Sequence, residues 1–260
     1  MSARDAGFLL GVPIDRKSLQ AVTADAMSAI NGADCFVTFA CANAHSLEVA
    51  QRDLEFKSAL RNSSLVVADG AGVTVMARIA GVRVGPRITG HDYYCAILNA
   101  LQERGTGKVF FFGSSRQVLK LISERFAREF SSLQLCGVLS PPFGEWSPED
   151  NAAMVATINA SKPDVLWVGM TAPKQEKWVA ANRAELAVPV VGSVGAVFDF
   201  YAGTASRAPR WMGKAGLEWL YRLGREPRRL WRRYLISSPK FVGLVIWRHV
   251  FGFVGNSRGR

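Results

Sequence analysis

Leu65-Val66-Val67-Ala68-Asp69-Gly70-Ala71-Gly72 is the stretch from which the architecture of this chain follows. Four consecutive apolar residues read as a strand buried on both faces, and the strand stops at an aspartate and glycines. Strands of that kind belong to a parallel sheet covered by helices, whose ligands bind beyond the carboxyl ends of the strands. Similar apolar runs recur at 35–40, 109–112, 133–138, 165–168 and 188–191. Segments with helical periodicity separate them at 46–60, 93–104, 117–130, 148–160 and 174–186. The expected fold class is therefore α/β, a doubly wound, mostly parallel, Rossmann-like sheet.

The composition changes after Phe200. Residues 201–260 hold 13 Lys or Arg against two acids, Glu218 and Glu226, whereas residues 1–200 balance 19 basic against 19 acidic side chains. The whole excess of +11 thus lies in the tail, together with four of the seven tryptophans. Two domains are expected: an α/β catalytic domain over 1–202 and a basic, aromatic-rich appendage over 203–260. Within the appendage, helices are expected at 215–223 and 228–235, parted by Glu226-Pro227 because proline cannot continue a helix. Arg228, Arg229, Arg232 and Arg233 would gather on one side of the second helix, beside the apolar segment 241–254. That combination suits an anionic membrane surface, with Arg228, Arg229, Arg232, Arg233, Trp231 and Trp247 as its contacts.

Other classes are disfavoured. Cys35, Cys41, Cys95 and Cys136 are scattered without CxxC pairing, which points to free thiols rather than a disulfide framework or a zinc site. The first residues lack the pattern of a signal peptide, and no window supplies the ~20 apolar residues of a membrane span. The expected location is the cytoplasm, peripheral on the inner face of the cytoplasmic membrane. Exposed apolar tail surface would also favour self-association into a homo-oligomer.

Three clusters could carry chemistry. Asp69, at the end of its strand, is placed as a general base, with Gly70 and Gly72 allowing close approach. It could equally cap the helix that starts near Gly72. Arg87-Ile88-Thr89-Gly90-His91-Asp92 offers a guanidinium ahead of a helix, with Asp92 either in the site or a simple cap. Gln175 and Glu176 fall in the first turn of a helix after the 165–168 strand, where side chains can bond a sugar, base or phosphate. Gly113-Ser114 follows another strand in the same way, and His45, just beyond Asn43, could reach the same edge. GxGxxG, P-loop, GxSxG and HExxH signatures are absent. So is Asp-x-Asp, the usual carboxylate pair for holding a divalent ion on a nucleotide diphosphate, and no metal or cofactor is expected.

These clusters, in this order, resemble the WecG/TagA/CpsF family of bacterial glycosyltransferases (glycosyltransferase family 26). The likeness also covers Val194-Gly195-Ala196-Val197-Phe198-Asp199, Arg207-Ala208-Pro209-Arg210-Trp211, Leu217-Glu218-Trp219-Leu220-Tyr221-Arg222 and Glu226-Pro227-Arg228-Arg229. The resemblance implies an inverting transferase moving a sugar from a UDP-sugar to a polyprenyl-pyrophosphate-linked saccharide, in exopolysaccharide or other cell-surface polysaccharide synthesis. It implies Asp69 as base, Arg87 at the acceptor or leaving diphosphate, and Gln175 and Asn43 at the donor. It further implies Gly195 and Asp199 in the site, with Arg207, Arg210 and Arg222 closing over the pyrophosphate. Many relatives carry Thr-x-Asn where this chain has Cys41-Ala42-Asn43, and a smaller residue at His91, so Cys41 and His91 would shape the substrate side. The alternative is a non-catalytic protein whose basic tail binds nucleic acid or an anionic membrane. Interleaving of the tail cations with Trp and Leu favours the transferase, with no nucleic-acid partner.

Overall fold

The computed structural model describes residues 4–33, 35–206, 208–209, 212 and 216–255. Six strands form one sheet: β3 (Val37–Ala42), β4 (Leu65–Ala68), β5 (Lys108–Gly113), β6 (Gln134–Leu139), β7 (Val165–Gly169) and β8 (Val190–Ser193). Their order is β4-β3-β8-β7-β5-β6, and every pairing is parallel. The chain has the expected α/β, doubly wound class.

Helices cover both faces. On one lie α1 (Leu19–Ile30), α5 (Gly90–Arg104), α6 (Arg116–Glu129) and α9 (Val197–Ala202), whose Val22, Tyr93, Ile122 and Phe198 share a core with Phe39 and Trp167. On the other lie α2 (Ala44–Val49), α3 (Leu54–Asn62), α4 (Ala71–Ile79), α7 (Pro148–Ala160) and α8 (Lys174–Ala181). The helices following β5 and β8 thus depart on one face, and those following β3 and β7 on the other. Where neighbouring strands diverge in this way, their carboxyl ends open a crevice for ligands.

Some features lay beyond sequence patterning. An antiparallel hairpin, β1 (Ala6–Leu9) and β2 (Val12–Asp15), precedes the sheet. Its turn residues Leu10 and Gly11 both have positive φ, 52° and 79°, without the Asn-Gly pair that usually marks such turns. The buried carboxylate of Asp15 takes the Val66 amide at 2.6 Å and is held by Arg4, which satisfies the outer edge of β4. The segment 46–60 is two helices rather than one, because Asp53 accepts the Phe56 amide at 2.9 Å and starts α3 afresh.

The tail forms α10 (Glu218–Arg225), α11 (Pro227–Trp231), a π-helical turn (Arg232–Ser237) and α12 (Ser238–Gly255). The break at Glu226-Pro227 is where expected. Leu230, Phe241 and Val245 are buried, and the last two join the core of α2 beside Leu47 and Val49. Among the described residues no helix is long and apolar enough to cross a membrane.

Candidate active site

Asp69 stands just past β4, partly exposed, its amide donating to Ala42 O at 2.8 Å. The Ile88 amide donates to Ala68 O at 3.0 Å. Together these bonds clip the segment bearing the exposed Arg87 against the strand end that carries Asp69. The N-cap of α4 is Gly70, at φ 103°. Asp69 therefore stands one residue ahead of the N-cap position.

Asp92 is the opposite case. Its Oδ2 accepts from the Thr89 amide at 2.9 Å and the Thr89 hydroxyl at 2.7 Å, closing a capping box at the start of α5. Asn43 caps α2: its Oδ1 accepts the Ser46 amide at 3.0 Å, leaving Nδ2 as the group available to a ligand. His45, two residues further, has a buried Nδ1 with no partner among the described residues. Burial, then the nearby Arg233, hold its imidazole below the ordinary range, so it is neutral at pH 7.

Cys41, on β3, faces the start of α5: a Cβ built on Gly90 would lie 3.6 Å from its sulfur. Burial first, then the charges of Asp69, Glu176 and Asp92, keep the thiol well above its ordinary range, so it remains protonated. The three carboxyls thus lie near enough to Cys41 for their charges to act on its thiol. His91 turns along α5, its Nε2 3.4 Å from the Cys95 sulfur.

Gln175 and Glu176 are buried at 5% and 4% exposure in the first turn of α8. Gln175 Oε1 accepts the Met170 amide at 3.3 Å, and its Nε2 donates to Glu176 Oε1 at 2.8 Å. The turn after β8 closes on them: a Cβ on Gly195 would sit 3.5 Å from Gln175 Oε1. Burial raises the Glu176 carboxyl to about 7, and its Oε2 has no partner among the described residues. Gly113 and Ser114, at φ 116° and 59°, lie at the end of β5, four strand positions or about 19 Å from β4. Only glycine fits the first of these, since a Cβ there would meet Gly169 O at 2.6 Å.

The tail closes over this edge. Arg222 lies 5.2 Å from the Phe200 ring centroid, with a buried Nε lacking a partner among the described residues. Burial raises the Asp199 carboxyl, and Arg229 and Arg222 oppose that rise. Arg233, expected with the lipid-facing arginines, is instead partly buried near His45 and Asp69. Burial depresses its pKa, as do the like charges of Arg222 and Arg229, against the favourable charge of Asp69. The reason is the π-helical turn, whose wider repeat shifts the register that a regular helix would keep. Arg228 and Arg232 are exposed, as are Trp231 and Trp247, while Arg229 pairs with Glu226 at 2.8 Å. Arg207 and Arg210 lie outside the described residues. No sequence signal marks Arg233, because its direction depends on the helix type.

Residues 8–253 match the profile of the glycosyl transferase WecG/TagA/CpsF family. The chain belongs to that family. It is a glycosyltransferase, as the order of its motifs led one to expect. Two relatives bear the name N-acetylglucosaminyldiphosphoundecaprenol N-acetyl-beta-D-mannosaminyltransferase. The protein of Bacillus subtilis (strain 168) is 28% identical over 76% of this chain and 74% of its own length. That of Bacillus spizizenii (strain ATCC 23059 / NRRL B-14472 / W23) is 29% identical over the same shares. The matched region spans the family's three clusters: Asp69 with its glycines, the Arg87–Asp92 segment, and Gln175-Glu176.

Proposed function

We propose that this glycosyltransferase moves a sugar from a UDP-sugar to a polyprenyl-diphosphate-linked saccharide, with inversion, in the synthesis of an exopolysaccharide or other cell-surface polysaccharide. The observation that carries this is the meeting of a strand-end carboxylate, Asp69, with the tail arginines Arg222 and Arg233. Asp69 takes the proton of the acceptor hydroxyl as its oxygen attacks the anomeric carbon. The bond from that carbon to the diphosphate oxygen breaks, and UDP leaves with the electron pair. Inversion follows from a single displacement. Like-charged guanidinium groups held together in a partly buried place are stabilised by an anion, and the departing diphosphate supplies one. Arg87 meets the acceptor diphosphate from the opposite side. Asn43 Nδ2, Gln175, Gly195 and the Gly113-Ser114 turn line the donor groove, with Asp199 holding Arg222 and Arg229 in place. In this scheme arginines, rather than a metal or other cofactor, take up the leaving charge.

The two Bacillus relatives act, by name, on a diphosphoundecaprenol-linked sugar, which supports an acceptor of that class here. Cys41 offers a weaker hydrogen bond than a hydroxyl would, so the donor sugar need not be theirs. A lipid-linked acceptor calls for work at the cytoplasmic face of the membrane. Exposed Trp231, Leu235, Ile246 and Trp247, with Arg228 and Arg232 beside them, suit peripheral attachment there. The reading is tested with Asp69→Asn: turnover should fall by about 10² to 10⁴ while calorimetric UDP binding persists. Undiminished transfer by the variant would remove Asp69 as the base.

A further inference from the structure

We infer that Glu176 is a positioning residue, which fixes the side-chain amide of Gln175 so that one edge of it faces the donor groove. The inference rests on Gln175 lying at the donor, as proposed above. A glutamine amide can turn over and exchange its oxygen for its nitrogen with little change of shape. Here both ends are fixed. The Met170 amide donates to Oε1 at 3.3 Å, and Nε2 donates to Glu176 Oε1 at 2.8 Å. The amide therefore has one N–H left, and the Gly195 backbone lies close beside it, where a Cβ would sit 3.6 Å from Nε2. A buried carboxylate is an expensive way to hold an amide, since burial disfavours its charge. Glu176 is nonetheless 4% exposed, with its second oxygen unpartnered among the described residues. Among the described residues no cation pairs with it: the next residue, Lys177, turns away to Asp53 and Glu55, at 2.8 and 2.9 Å. The other ionisable groups at this edge are Cys41 on β3, Asp69 after β4 and Asp92 on α5, with Arg233 approaching from the tail. Burial is what makes the Glu176 charge costly, and its hydrogen bond with Gln175 opposes that cost. A charge-assisted acceptor holds an amide about twice as firmly as a neutral one, so the ionised form locks Gln175 and the neutral form loosens it. The carboxyl's raised range, about 7, brings that change within working pH.

The test combines nuclear magnetic resonance of the full chain with kinetics. The Gln175 side-chain amide signals, assigned through their loss in Gln175→Leu, should move with pH around neutrality in the wild type. In Glu176→Gln they should stop titrating. In transfer assays, Glu176→Ala should lose about tenfold to a hundredfold in kcat through misplacement of the amide. Glu176→Gln, which keeps an acceptor oxygen, should recover most of that loss and flatten the limb of the pH profile near neutrality. Gln175 signals that ignore pH in the wild type would overturn the inference, even in a protein that transfers no sugar. So would a folded Glu176→Ala with wild-type kcat at every pH. An active wild type is not needed for the resonance result, so failure of the transfer reaction and failure of this inference are told apart.

Discussion

Asp69 and Glu176 are two carboxyls a few side chains apart whose surroundings suit them to different work. Asp69 sits at the rim, partly exposed, with Arg233 nearby to favour its charge. Glu176 is buried in the first turn of α8, where burial raises its pKa from 4.5 to about 7. The sign of the resulting pH dependence follows directly. Between those two values the folded state keeps the Glu176 proton and the unfolded chain has lost it. Stability therefore declines as pH rises through that window, by about 3 kcal/mol in all, and is level above it. Glu176→Gln never ionises and escapes this decline. Its stability relative to wild type, measured by urea unfolding, should improve on going from pH 5 to pH 8; an unchanged difference would mean that Glu176 is not buried as described. Arg233→Met should lower kcat/KM about tenfold or more by removing charge from the site while sparing vesicle binding. A loss of vesicle binding with intact kcat/KM would return Arg233 to the lipid surface.

At the scale of elements, the strands were legible because β4, β5 and β7 are runs of apolar residues buried on both faces, and periodicity registers that pattern directly. Leu65–Ala68 has the bounds its composition indicates. The hairpin was not legible, since Leu10 occupies a left-handed turn position that its residue type does not advertise. Asp69 and Asp92 show the same limit within the site. Both precede or open helices, and only the structure reveals that Asp92 closes a capping box with Thr89 while the N-cap of α4 is Gly70. The π-helical turn redirected Arg233 for a reason that residue spacing alone cannot carry. Segment 241–254 read as interfacial from its hydropathy, yet one of its sides packs on α2 through Phe241 and Val245. Phe241→Ala should accordingly destabilise the whole fold by about 3 to 5 kcal/mol, read as a lower urea midpoint with an unchanged slope. A variant that unfolds like wild type would show that α12 contributes nothing to the core.

For the whole molecule, a neutral body joined to a tail that carries all of the net charge sets a division of labour. On the proposed reading the body holds the donor groove, and the tail both lends arginines to it and presents cations with exposed tryptophan outward. Flotation with vesicles containing anionic lipid should recover the protein, and Trp231→Ala with Trp247→Ala should weaken it, along with added salt. Salt-sensitive binding to DNA without flotation would instead favour a nucleic-acid role for the tail. The most direct test of the central claim is transfer itself. The protein is incubated with a panel of UDP-sugars and polyprenyl-diphosphate-linked N-acetylglucosamine, and the lipid product is read by mass spectrometry with its anomeric configuration by NMR. The account predicts one added sugar, inverted at the anomeric carbon, with UDP released in equal amount and both lost in Asp69→Asn. A product with retained configuration, or wild-type yield from Asp69→Asn, would contradict it.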